Sequence, residues 1–187
     1  MKQTYFQLPT LKTERLILRK VTTNDAQDMF AYCSIPEVAT YVPWETHQTV
    51  ADSEQFIQFI LSQYEGDNLA PWAIEHKETG KMIGTFDFVT WFPQHARAEI
   101  GFVLSKNYWG KGITVEAARK VIQYGFNEMN LNIIKAPCIK ENIQSRRVLE
   151  NLGMHLDGVL RDEYMIKGQF RDMAVYSLRN DEVKSYE

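Results

Sequence analysis

The residues best suited to chemistry in this sequence form the glycine turn Gly110-Lys111-Gly112 and the helix-like segment after it. A glycine turn that leads into a helix presents unpaired backbone N–H groups and the positive end of the helix dipole to an anion. The spacing is not that of a Walker loop, and Val115 stands where a dinucleotide fingerprint needs its third glycine. The segment therefore predicts a phosphate or pyrophosphate site, although the same glycines would suit an ordinary tight turn.

A second polar segment opens a helix that the apolar pattern predicts from Asn142 to Leu152. Asn142 and Ser145 place an amide and a hydroxyl in its first turn, where they would reach a bound ligand. The alternative is structural, because Asn142 is also a good N-cap and Gly153 suits the left-handed position that ends a helix. The residues alone leave both interpretations open.

Alternating strands and helices must position these two segments. A period of two predicts a strand over residues 14–21, and apolar stripes of helical period predict helices over 24–33, 49–64, 113–129 and 142–152. Further strand patterns cover residues 72–76, 81–91, 97–104, 132–139, 154–167 and 169–178. The first three of these read as an antiparallel meander. This order predicts a mixed α/β fold of the α+β type, with a largely antiparallel sheet of about seven strands and about four helices.

Composition excludes several classes of protein. A chain of 187 residues with 44% hydrophobic residues predicts one domain over residues 1–187. A net charge of −3 disfavours binding to nucleic acid. The sequence lacks the roughly 20-residue apolar run of a membrane span and an N-terminal apolar signal, which predicts a cytoplasmic protein. Cys33, Cys138 and the four scattered histidines show no ligand spacing, so we predict no disulfide framework and no metal.

Four segments in register resemble the cofactor motifs of the GNAT acetyltransferase superfamily, specifically its Rim-type, ribosomal-protein N-terminal acetyltransferase branch. They are residues 11–19, residues 99–104, residues 108–112 with Glu116 and Ala117, and Asn142-x-x-Ser145 with residues 149–153. The resemblance extends over most of the chain. It implies a sheet that splays at the cofactor site, a feature that would accommodate Pro137, which has no N–H to donate to a strand ladder. It also implies transfer of an acetyl group from acetyl-CoA to a primary amine.

The resemblance assigns cofactor roles to named residues. The backbone of Phe102, Val103 and Leu104 would pair with the pantetheine arm of acetyl-CoA as an added strand does. The loop and helix residues assigned to the cofactor are Asn107, Gly110, Lys111, Gly112, Ile113, Thr114, Asn142 and Ser145. Asn107 departs from the Gln or Arg that the superfamily usually has there, but most contacts in this loop are made by backbone N–H groups. Lys111, Arg146 and Arg147 would add positive charge against the CoA phosphates.

Acetyl transfer needs a neutral amine and a proton for the departing thiolate. Ser145 is the predicted proton donor, and Glu99, acting directly or through water, is the predicted base. Glu99 has a structural alternative, in which it pairs with Arg97 or another surface cation. The branch often has a further Glu after the second motif, but Tyr164 occupies that position here. Tyr164 is therefore an alternative proton source.

The acceptor is less well defined by the sequence. Trp44, Phe86 and Trp91 are predicted to wall its pocket, although aromatic residues at alternate strand positions also suit a core. A protein N-terminal α-amino group and a small amine fit equally well. Two other functions stay open, a non-catalytic acetyl-CoA-binding or sensing module and a protein that binds ATP or NAD at the glycine turn. Self-association into a homo-oligomer is also left open.

Overall fold

An eight-stranded sheet forms the frame of the molecule in the computed structural model, which describes residues 8–66 and 68–183. The strands are β1 (Leu11–Lys12), β2 (Leu16–Lys20), β3 (Trp72–His76), β4 (Lys81–Phe92), β5 (Arg97–Leu104), β6 (Ile133–Ile139), β7 (His155–Ile166) and β8 (Gln169–Arg179). Their order across the sheet is β1-β2-β3-β4-β5-β6-β8-β7. All neighbours are antiparallel except β5 and β6, which are parallel.

The helices are α1 (Ala26–Cys33), α2 (Pro36–Ala39), α3 (Val50–Glu65), α4 (Ile113–Asn127) and α5 (Ile143–Asn151). The predicted mixed and largely antiparallel architecture is confirmed. One more strand and one more helix are present than the sequence predicted. The additional strand is β1, which has only two residues, and the additional helix is α2, a single turn with Pro36 at its first position. Elements this short carry no readable periodicity.

The sheet splays between its two parallel strands. Residues Arg97, Ala98 and Glu99 of β5 pair with residues 133–135 of β6, and the pairing then stops although both strands continue. Pro137 lies on β6 just beyond this break, where its missing N–H removes no bond to β5. The splay that the resemblance implied is confirmed, and it leaves backbone groups of β5 outside the ladder.

Helices pack on both faces of the sheet. On one face, α4 and α5 pack against the strands in the main core, which contains Phe86, Phe88 and Ile100. Gly125 of α4 marks how closely this helix approaches, since a Cβ there would lie 3.1 Å from the Phe88 ring. On the other face, α1 and α3 enclose a second apolar cluster that includes Met29. Among the described residues, no helix has both the length and the apolar character needed to cross a membrane.

Candidate active site

The cleft between β5 and β6 is the natural place for an extended ligand. Phe102, Val103 and Leu104 lie on β5 beyond the last pair with β6, so the edge of β5 that faces β6 is free there to pair with an added chain. One of these groups is already used, because the Leu104 carbonyl accepts a hydrogen bond from Trp109 Nε1 at 2.8 Å. This bond fixes the start of the glycine turn relative to the end of β5. The cleft thus fits the place predicted for the pantetheine arm.

The glycine turn has the conformation that its sequence predicts. Gly110 and Gly112 have φ angles of 73° and 72°, which only glycine adopts readily, and Gly112 is the N-cap of α4. Ile113 and Thr114 are buried in the first turn of α4, whereas Asn107 and Lys111 are exposed. An open groove of about 640 Å³ adjoins Gly112 and the first turns of α4. The N–H groups of this helix end are therefore placed to bind a phosphate group.

An ion-paired clamp holds this helix end, and it joins residues of two motifs that lie about one hundred positions apart in the sequence. Glu116 of α4 accepts hydrogen bonds from Thr13 Oγ1 at 2.5 Å, from the Arg15 N–H at 2.9 Å and from Arg15 Nε at 2.6 Å. Arg15 Nη1 also donates to the carbonyl of Lys111 at 3.0 Å. Burial opposes ionisation of Glu116, but the hydrogen bonds from Thr13 and Arg15 outweigh it and lower the pKa. The segment before β2 is therefore tied to the glycine turn.

This clamp makes Arg15 a positioning residue for the glycine turn, and Arg15→Ala is expected to raise the Kd for acetyl-CoA. The increase should be roughly fivefold, because a partly exposed ion pair is worth about 1 kcal/mol or less and the loop keeps its glycines. Calorimetric titration measures it. The matched control is Arg179→Ala, which removes an arginine that pairs with Asp181 and Glu182 far along the chain. An equal change in both variants would show that the clamp does not position the loop.

The N-terminus of α5 contains the second predicted cofactor motif, Asn142-x-x-Ser145. Asn142 is the N-cap, and its side-chain oxygen accepts a hydrogen bond from the Ser145 N–H at 3.1 Å. The Ser145 side chain is half-buried, and within the described part of the chain its hydroxyl has no protein partner. Arg146 is engaged elsewhere, since its Nε donates to the Tyr176 hydroxyl at 3.1 Å. Asn142 thus carries the structural role, and the Ser145 hydroxyl stays available for a ligand.

Glu99 and Tyr164 come together although they lie on different strands of the sheet. Tyr164 on β7 is 43% exposed, and its pKa is raised by burial and by the negative charges of Glu99 and Glu163. The phenol therefore stays protonated at neutral pH. Glu99 forms no ion pair with any residue in the described ranges, and the Arg97 guanidinium lies over the Phe92 ring at 4.6 Å instead. The structural alternative for Glu99, pairing with Arg97 or another surface cation, is not present among the residues that the structure describes.

The tip of the β7–β8 hairpin contacts a distant part of the chain. Lys167, at the turn between the two strands, donates a hydrogen bond to the Ala39 carbonyl at the end of α2, at 2.7 Å. Its Nζ also lies 3.9 Å from Glu45. The hairpin therefore reaches across to the end of α2 and to the segment between α2 and α3.

The predicted aromatic wall needs correction. Phe86 has no exposed surface and stacks on Phe102 at 5.7 Å between ring centroids, so it belongs to the core and not to a solvent-accessible wall. Trp91 is half-buried against the same main core. Trp44 packs on the second cluster, with its ring 5.5 Å from that of His47. Of the three, only Trp44 lies on the face of the sheet that α4 and α5 leave uncovered.

Asp87 is a candidate that the sequence analysis missed. It lies on β4, directly opposite Gly101 of β5, and it is half-buried. Burial raises the pKa of its carboxyl group to about 7. The available signal was an acidic residue between two aromatic ones, Phe86 and Phe88, in a strand that is otherwise largely apolar. No motif spacing marks such a residue, so its position opposite Gly101 becomes visible only in the folded sheet.

Comparison with known proteins agrees with this geometry. Residues 15–155 match the family described as Acetyltransferase (GNAT) domain. The chain is 39% identical over 171 residues to the N-acetyltransferase p20 of Bacillus licheniformis, an alignment that covers 91% of this chain and 96% of that protein. The GNAT-family acetyltransferase structure from Bacillus anthracis has a TM-score of 0.82 at 29% identity and covers 93% of this chain and 100% of its own.

A third comparison concerns the fold. The microcin C7 self-immunity acetyltransferase MccE, whose structure was determined in complex with acetyl-CoA and AMP, shares the fold with a TM-score of 0.79 at 24% identity. The alignment covers 89% of this chain and 93% of that one. The family assignment agrees with two features of the structure. These are the splayed strands β5 and β6 and the glycine turn at the N-terminus of α4. The chain therefore belongs to the GNAT acetyltransferase family and is an acyltransferase whose cosubstrate is acetyl-CoA.

Proposed function

We propose that this enzyme transfers the acetyl group to a primary amine in the cytoplasm, either the α-amino group of a protein N-terminus or a small amine. The observation that carries the proposal is the pairing of a free carboxylate, Glu99, with a protonated phenol, Tyr164, beside the cofactor cleft. Amine acetylation needs a proton acceptor and a proton donor near the thioester, and this region holds two carboxylates, Asp87 and Glu99, and one phenol, Tyr164, for these roles.

Relatives support both classes of acceptor. The ribosomal-protein-S5-alanine acetyltransferase structure from Vibrio fischeri has a TM-score of 0.76 at 26% identity and covers 94% of this chain. Spermidine N(1)-acetyltransferase of Escherichia coli K12 is 33% identical over 93 residues, half of each chain. The first supports the ribosomal-protein N-terminal acetyltransferase branch, and the second supports a polyamine. An α-amino group, with a pKa of about 7.7 to 8.0, is easier to deprotonate than a lysine-like amine near 10.4.

The proposed division of roles follows from the placement of each group. The backbone N–H groups of Phe102 and Val103, outside the β5–β6 ladder, stabilise the negative oxygen of the tetrahedral intermediate. Ser145 gives a proton to the departing thiolate, because its hydroxyl is not used by the helix cap. Tyr164 is the second proton source. Trp44 lines the acceptor pocket from the segment between α2 and α3.

Ligand-dependent stability tests the cofactor assignment directly. Acetyl-CoA at about 100 times its Kd is expected to stabilise the folded protein by about 2.7 kcal/mol, whereas ATP and NAD should produce little change in melting temperature. Thermal-shift measurements with the three ligands check this. A larger shift with ATP or NAD would contradict it. CoA release across a panel of peptides and small amines then identifies the acceptor, and binding without CoA release on any amine would favour the sensing module instead.

A further inference from the structure

The side of the sheet from which an amine reaches the cleft follows from the packing. Side chains of β5 alternate between the faces, and Ala98 and Ile100 point into the main core beneath α4. Glu99 and Gly101 therefore point to the opposite face, which we call the acceptor face. Val89, on the neighbouring strand β4, is 56% exposed on this side next to Gly101. An amine has access to the thioester from the acceptor face, since α4 and α5 fill the other face and the exposed Val89 shows that α1 and α3 leave this part of the sheet open.

Asp87 lies on the acceptor face, against the backbone of β5. It is the cross-strand partner of Gly101, so the two residues point to the same side of the sheet. A Cβ at Gly101 would lie 3.1 Å from Asp87 Oδ1 and 2.8 Å from Val89 Cγ2. The Asp87 carboxylate therefore occupies space that a side chain at residue 101 would fill. That place is one residue before Phe102, where the cofactor-pairing edge of β5 begins.

Among the described residues, no hydrogen-bond donor or cation contacts the Asp87 carboxylate and stabilises its ionised form. Within residues 8–66 and 68–183 it accepts no hydrogen bond and forms no ion pair, and burial alone raises the pKa to about 7. The Asp87 charge acts on the phenol of Tyr64 on α3, and Glu99 lies on the same face of β5, with Tyr164 of β7 near Glu99. Asp28 of α1, which packs on β4, accepts a hydrogen bond from the Met82 N–H at 3.0 Å. Of the two cations near Tyr64, Arg19 is held by Asp25 and Glu75, and Lys20 lies with its Nζ 5.1 Å from the centre of the Tyr64 ring.

We propose that Asp87, rather than Glu99, is the general base that removes a proton from the acceptor ammonium group before it attacks the thioester. This inference rests on the proposed function. The Asp87 carboxylate takes one proton from R–NH₃⁺, and the neutral nitrogen forms the N–C bond to the acetyl carbon. The C–S bond breaks, the nitrogen loses its second proton, and the CoA thiolate takes up one proton. Half-buried Asp87 then returns its proton to solvent, so the overall products are the amide, CoA–SH and one proton.

Kinetics of paired variants separate the two carboxylates. Asp87→Asn should lower kcat about 10²- to 10⁴-fold with little change in the Kd for acetyl-CoA. Only the deprotonated carboxylate accepts a proton, so kcat/KM of the wild type should rise as the pH increases through 7. This rising limb of the pH–rate profile should be lost in Asp87→Asn. Glu99→Gln removes the same charge from the same face and should keep the limb. Asp157→Asn, which changes an exposed sheet carboxylate bonded to Ser177, is the matched control and should keep both rate and profile.

Stability supplies a readout that does not depend on turnover. The folded pKa of Asp87 lies above the unfolded value near 3.8, so its ionisation destabilises the folded state increasingly between pH 4 and 7 and fully above pH 7. Asp87→Asn should therefore melt several degrees higher than the wild type at pH 8, and the difference should shrink toward pH 4.

Each outcome decides between the possibilities. If Glu99→Gln loses the pH limb and Asp87→Asn keeps it, Glu99 is the base and the proposal is wrong. If Asp87→Asn keeps kcat within about threefold, the proposal is also wrong, whatever its stability. If the wild type releases no CoA with any amine, the proposed function and the assignment of Asp87 fail together. The assignment of Asp87 as the base is supported if Asp87→Asn alone loses both kcat and the rising limb of the pH–rate profile. The same variant must also show the pH-dependent gain in stability.

Discussion

Replacement of Gly110 or Gly112 by valine is expected to raise the Kd for acetyl-CoA at least about tenfold, whereas Lys111→Ala should raise it less than about threefold. Both glycines have φ angles above 70°, a region that costs an L-residue about 1 to 2 kcal/mol and that a β-branched residue tolerates poorly. A Cβ at Gly110 meets no atom within 4 Å, and one at Gly112 only approaches Arg15 Nη2 at 3.7 Å. The loss should therefore come from the loop conformation and the approach of the phosphate, not from a clash within the protein.

Lys111 provides the internal comparison for this prediction. Its side chain is exposed, with Nζ 5.5 Å from the centre of the Tyr108 ring, so it contributes one screened charge. Calorimetric titration of the three variants, with the melting temperature of each ligand-free protein, separates binding from folding. Small and equal losses of affinity in all three would indicate that the turn holds no phosphate.

Ser145→Ala is expected to lower kcat about 10²- to 10⁴-fold with little change in the KM for acetyl-CoA, because a proton donor acts in the transition state. The structure sharpens this expectation. Asn142, not Ser145, provides the side-chain cap of α5, so Ser145→Ala should leave the melting temperature nearly unchanged. Asn142→Ala removes the cap and should cost about 1 kcal/mol of stability.

Measuring kcat and melting temperature on the same preparations distinguishes the two roles. A kcat for Ser145→Ala within about threefold of wild type, which is under 1 kcal/mol of barrier, would remove Ser145 from the mechanism. Tyr164 would then be the proton source, and Tyr164→Phe should show the large loss of kcat instead. Its raised pKa keeps the phenol protonated over the range in which the assay runs.

Strand and helix patterns alone predicted most of the frame. Strands β3 and β5 begin and end where the alternation placed them, and Thr49 forms with Asp52 the capping box that starts α3. Pro137 correctly indicated a break in the sheet, because a residue without an N–H cannot complete a two-sided ladder. These features are local, so the sequence around each of them carries the information.

Features that depend on contacts between distant segments could not be predicted. Glu116 was recognised as part of a motif, but its partners Thr13 and Arg15 lie about one hundred positions earlier in the chain. Phe86 was predicted to line the acceptor pocket, with the core as the alternative, because alternation says which residues share a face but not which face a helix covers. The structure places it in the core. Asp87 was missed for a related reason, since its importance comes from the residue across the strand, Gly101, whose lack of a side chain admits the carboxylate.

The clamp at Glu116 makes the residues just before β2 important for the phosphate-binding end of α4. Terminal segments usually tolerate trimming, because few contacts depend on them. Here the residues just before β2 fasten the phosphate-binding end of α4, and a shortened chain that begins after Arg15 would keep the paired strands β3 to β8 yet lose this anchor.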